Sequence, residues 1–105
     1  MIGMIQEQDK LEIERVNRIL CAHFDVCLDE LKGKNVSRVG TSAKSYALYY
    51  LHTKKGMSST TLSRGYGLHR RVVFWHISKT KDYIRIYSTT RKEYEEVCAL
   101  LDENE

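Results

Sequence analysis

The chain has 105 residues, 42% of them hydrophobic and 30% charged, with a formal net charge of +3. That length holds one small domain with a modest core and leaves no room for a second. No apolar run approaches the roughly 20 residues that span a bilayer, and Met1 to Lys10 has neither a basic start nor a long apolar segment, so a cytoplasmic protein is expected.

The small net charge conceals a strong asymmetry. Fourteen of the seventeen Lys and Arg residues lie between Lys32 and Lys92, a stretch with a single acid, Asp82. Residues 1 to 31 carry seven acids against three bases, and residues 93 to 105 carry six acids and no base. A positive middle between acidic ends repels itself unless a polyanion offsets it, which points to phosphates. The three cysteines, Cys21, Cys27 and Cys98, show no paired spacing and read as reduced thiols filling the core.

The pattern is mostly helical. Val16, Ile19, Leu20, His23 and Phe24 share one face of a first helix from about Gln6 to Phe24, with Glu7, Glu12 and Glu14 on the wet side. Residues 1–12 are taken as a helical extension of a domain over 13–105. A short helix fits Leu28 to Lys32 before Gly33. Ala43, Tyr46, Ala47, Tyr50 and Leu51 define a third helix that stops near Gly56, with Lys54 and Lys55 at its negative end. Ser58 reads as the N-cap of a brief helix, Ser59 to Tyr66, closed by Gly67.

From Arg71 to Tyr87 propensity and periodicity disagree. Val72, Val73, Phe74, Trp75, Ile77, Tyr83, Ile84, Ile86 and Tyr87 favour strands, which suits a hairpin looped at Ser78 to Asp82. Yet that loop has no Gly, and Phe74, Ile77, Lys81 and Ile84 fall on one helical stripe. The residues alone leave helix and hairpin open. A last helix runs from Thr89 or Thr90 to about Leu101, with Tyr94, Val97, Cys98 and Leu101 on one face and Glu93 three residues after a Thr90 cap.

Two short helices joined at Gly67, the second opened by His69, Arg70 and Arg71, read as a helix-turn-helix. Phe24 to Leu31, Lys32-Gly33-Lys34, Ala43 to Tyr49, Tyr66-Gly67 and His76 resemble, in order and spacing, the C-terminal DNA-binding domain of the bacterial replication initiator DnaA. The resemblance covers about Ile13 to Leu101 and lies in scaffold positions. It implies an all-α, Trp-repressor-like bundle in which residues 71–87 form a recognition helix, and a non-catalytic module binding double-stranded DNA in replication control or transcription.

The departures fall where bases would be read. Val36 stands where the family has a minor-groove Arg, with Lys34 and Arg38 two positions either side. His69-Arg70-Arg71-Val72-Val73 replaces an Arg-Asp-His-Thr-Thr signature, and Arg70 in place of an acid reverses the hydrogen-bond preference from cytosine to guanine or phosphate. A different target sequence is therefore expected. The resemblance also implies phosphate contacts from Lys44, Ser58, Ser59 and Thr60, each serine or threonine of which has a plain capping role as the alternative. Lys32, Lys34, Arg38 and Lys79 complete the expected basic surface, Val72 is placed either on a thymine methyl or in the core, and Trp75 reads first as a core aromatic.

No G-x-x-x-x-G-K-[ST] loop occurs, so the ATPase chemistry of a full initiator is not expected. Cys21 and His23 point to different sides of one helix and lack a fourth partner with zinc spacing, and no serine or cysteine sits in a nucleophile motif. Neither enzyme activity, metal nor cofactor is expected. The rival reading is a protein-interaction module that keeps the scaffold and presents Val72 and Trp75 to a partner.

Overall fold

The computed structural model describes residues 6–32 and 37–103. Its elements are α1 (Glu7–Phe24), α2 (Leu28–Leu31), α3 (Arg38–Lys54), α4 (Ser59–Tyr66), α5 (Arg70–Ile86) and α6 (Ser88–Glu103). No strand occurs among the described residues, so the hairpin alternative over 71–87 gives way to a continuous helix. α1 passes residue 12 without a break. No helix among the described residues is long and apolar enough to cross a membrane.

Local chemistry explains the breaks between helices. Asp25 ends α1 in the left-handed region at φ 56°, a conformation Asp tolerates because its short polar side chain bonds locally. Ser37 caps α3, its Oγ accepting from the Gly40 N–H at 2.9 Å. Ser58 caps α4 by accepting from the Thr61 N–H at 3.2 Å. Gly67 closes α4 at φ 65°, where a Cβ would be strained, while the Leu68 N–H bonds the Ser63 carbonyl at 3.0 Å. At α6 the expected capping box does not form. The helix starts at Ser88, ahead of Thr90, and the Glu93 carboxylate instead accepts from the Tyr46 hydroxyl at 2.6 Å.

α3 is the axis of the bundle. From Ala43 to Leu48 every residue is buried, and Tyr50 and Leu51 extend the run. Around it pack Ile13, Val16 and Leu20 of α1, Leu62 and Tyr66 of α4, Val73 of α5, and Tyr94, Val97 and Leu101 of α6. The face of α1 is therefore turned from the expected one: Ile13 and Asn17 are inside, and His23 is exposed. Cys27 is exposed too and fills no core, whereas Cys21 and Cys98 are half-buried.

Buried polar groups on this frame are mostly paired. The Tyr66 hydroxyl donates to Asn17 Oδ1 at 2.5 Å, the Tyr50 hydroxyl to Asp102 at 2.9 Å, and Arg15 reaches the Leu101 carbonyl at 2.8 Å while chelating Glu12. Arg15 thereby ties α1 to the last turn of α6. Burial followed by the Asp102 contact pushes the Tyr50 hydroxyl up to about 12.

Removing the hydroxyl from Tyr66 strands Asn17 Oδ1 in a dry interior. Tyr66→Phe should cost about 1–3 kcal/mol in urea unfolding. Tyr50→Phe, whose acceptor Asp102 is exposed, should cost less. Equal losses would show that the interior at Asn17 is wet.

Candidate nucleic-acid interface

α5 places most of the chemistry. Its inner face is Val73, His76 and Thr80, with Ile77 and Ile84 half-buried beside them. The expected inner stripe of Phe74, Ile77, Lys81 and Ile84 is thus rotated: Phe74 is 54% exposed and Lys81 lies in solvent. The cause is polar. His76 is buried because Ser45 of α3 meets its Nδ1 at 2.7 Å, a partner that hydrophobic periodicity does not register.

The rotation moves two further side chains. Trp75, expected in the core, is 55% exposed, and Val72 is 39% exposed and is not a core residue. The ammonium of half-buried Lys79 sits 4.2 Å from the Trp75 ring centroid and 5.9 Å from that of Tyr83. Such a contact at an exposed site contributes about 0.5–1 kcal/mol, so Lys79 is weakly held.

At its start α5 is capped by His69, whose Nδ1 accepts from the Arg71 N–H at 3.1 Å. The cap fixes the entry angle of the helix and leaves Arg70, Arg71 and Val72 exposed on its first turn. α4 packs against α5 just before this turn and carries exposed Arg64, which the sequence reading passed over. Ser59 and Thr60 are half-buried on the first turn of α4, where backbone N–H groups lack intrahelical partners, and the Ser58 hydroxyl is committed to Thr61.

The remaining expected residues divide. α3 and α5 run antiparallel, since Ser45 meets His76 while Ser42 lines the same cleft as Thr80 and Tyr83. Arg38, exposed at the start of α3, therefore lies toward the Tyr83 end of α5, away from Arg70 and Arg71. Lys32 is half-buried beside Cys27 and Leu28 at the end of α2. Lys34 and Val36 lie outside the described residues.

Lys44 is the correction with the largest consequence. Expected to grip a phosphate, it is 3% exposed, and burial lowers its pKa below the ordinary lysine range. Its position on α3, the helix enclosed by all the others, decides this. So little accessible surface argues against a phosphate contact, and the charge lowers the pKa of His76. Burial, then Lys79, then Lys44 hold His76 down to about 4.

Comparison with known proteins returned no match: no family model, no curated protein and no solved structure.

Two outcomes follow from the buried pair. His76 stays neutral in the fold while the unfolded chain takes up a proton near 6.5, so stability should be full above that pH, fall as pH drops toward about 4, and level off below. Thermal melts of His76→Asn should show a flatter profile over that window; an unchanged slope would mean that His76 protonates within the fold. Lys44→Met tests whether this side chain contributes to binding. It should leave the salt dependence of duplex binding unchanged, whereas a phosphate contact would shallow the slope by about one unit.

Proposed function

We propose that the chain is a non-catalytic, double-stranded DNA-binding module in which α4 and α5 act as a helix-turn-helix and the first turn of α5 enters the major groove. The observation that carries this reading is the exposed pair Arg70 and Arg71 on that turn, held by the His69 cap in a stretch from Lys32 to Lys92 that contains one acid. An α-helix fits the major groove, and a guanidinium there matches guanine O6 and N7 with two bonds. The start of α4, with free N–H groups at Ser59 and Thr60, suits a backbone phosphate. The scaffold resemblance to the DnaA C-terminal domain supports the same docking, and the His69-Arg70-Arg71-Val72-Val73 sequence gives it a target of its own. Replication control or transcription in the cytoplasm is the setting this implies.

A protein-interaction module is the second reading, favoured by the exposure of Val72 and Trp75. Salt separates the two. With about five phosphates neutralised by groups among Lys32, Arg38, Arg64, Arg70, Arg71 and Lys79, log K for duplex DNA should fall against log[salt] with a slope of roughly −4 to −5. Absent or salt-indifferent binding would favour the interaction module.

Position and specificity separate within the interface. Arg70→Ala or Arg71→Ala should cost on the order of 1–3 kcal/mol on the preferred duplex and much less on random duplex, if either grips a guanine. Arg64→Ala, on α4, should weaken both duplexes alike. Equal losses on both for the α5 arginines would reduce them to phosphate contacts and leave targeting to a protein partner.

A further inference from the structure

The first turn of α5 accounts for Arg70 and Arg71 but leaves the middle of the helix without a task. There Trp75, Lys79 and Tyr83 recur at i, i+4 and i+8, with the ammonium between two rings that are 55% and 46% exposed. Tyr87, also exposed, extends the series edge-on to Tyr83 at 5.2 Å. Eight residues of helix separate the Trp75 and Tyr83 positions by about 12 Å along the axis. Lys79, only weakly held over Trp75, would swing to a phosphate as a base takes its place on the ring.

We propose that this strip binds unpaired bases, so that the chain holds a single strand of DNA by stacking as well as a duplex by its arginines. The inference rests on the nucleic-acid reading above and adds a second class of ligand to it. Base–aromatic stacking needs a ring face open to solvent and a cation beside it for the backbone, and it is indifferent to sequence. Paired bases keep their faces inside the stack, so the exposed rings match an unpaired strand better than a duplex. A dry protein partner fits less well, because protein interface cores are depleted in lysine and here a lysine stands in the middle of the patch.

The charges around the strip agree with that occupant. Arg71, one turn before Trp75, is exposed at the head of the strip, and the one acid of the helix, Asp82, is engaged by Arg85 at 3.4 Å. Beside Tyr83 opens a cleft of about 210 Å³ lined by Ser42, Ser45, Thr80 and Thr90, with Glu93 at its edge. The Glu93 carboxylate is opposed to a phosphate, but one of its oxygens is occupied by the Tyr46 hydroxyl. Arg38, one turn of α3 before Ser42, is exposed toward this end of the helix.

Trp75 is the only tryptophan in the chain, so its emission reports directly on the strip. Titration of the whole chain with a short oligothymidylate should quench that emission saturably, and an abasic strand of equal length should not. By anisotropy of a labelled strand, Trp75→Ala and Tyr83→Ala should each lose about tenfold on oligothymidylate and less than about threefold on duplex. Circular dichroism checks that both exposed substitutions leave the helices intact. Duplex binding without strand binding, equal losses on both forms, or strand binding that leaves Trp75 emission unchanged would overturn this inference and leave the duplex reading standing. Binding of neither form would overturn both.

Discussion

The enclosure of α3 is the constraint on which the rest of the molecule depends. A helix buried on nearly every side must satisfy its polar groups from its neighbours, and those bonds fix where the neighbours sit. Ser45 holds His76 of α5, Tyr46 holds Glu93 of α6, and Tyr50 holds Asp102 near the end of α6. Apolar packing alone would accept several rotations of α5 about its axis, because Phe74, Trp75, Ile77 and Ile86 are all apolar enough to face inward. The Ser45–His76 bond selects one of them, since an unpaired imidazole in a dry interior costs more than an exposed ring. The outer surface of α5 thus follows from this polar contact together with the burial of Val73 in the apolar core.

That outer surface is divided along its length. The first turn carries guanidinium groups behind a histidine cap, and the middle carries rings with a lysine between them. Their supports differ too: the first turn is braced by α4, the middle by α3 and α6 around the Ser42 to Glu93 cleft. The proposed duplex contact and the proposed strand contact therefore draw on different neighbours of one rigid helix, which is why substitutions can separate them. Some acids of the flanking segments are engaged within the fold. Glu12 is held below the usual carboxylate range by its hydrogen bond to Arg15, with Lys55 adding to it, and Asp102 accepts from Tyr50.

Much of the fold was legible in the sequence because it is written locally. The spacing of Ala43, Tyr46, Ala47, Tyr50 and Leu51 marks α3, and Ser58 and Gly67 bracket α4 through capping chemistry that involves only a few neighbours. Helix and hairpin could not be separated over 71–87 from those residues, since β-branched and aromatic side chains owe their state to what packs on them. The site was less legible than the fold. Lys44 reads as a surface cation in any one-dimensional pattern, and only its place on the enclosed helix buries it. Trp75 reads as core by size, and only the rotation imposed at His76 exposes it. Arg64 carried no signal beyond being one more base in a basic stretch.

The proposed function stands on the exposed arginines at the start of α5 reading duplex DNA. Selection of bound sequences from a random duplex pool tests it most directly, because enrichment requires base contacts and is blind to simple charge attraction. The expected result is an enriched motif containing a guanine, and loss of preference at that guanine when the selection is repeated with Arg70→Ala or Arg71→Ala. A bound pool indistinguishable from the starting pool would contradict it.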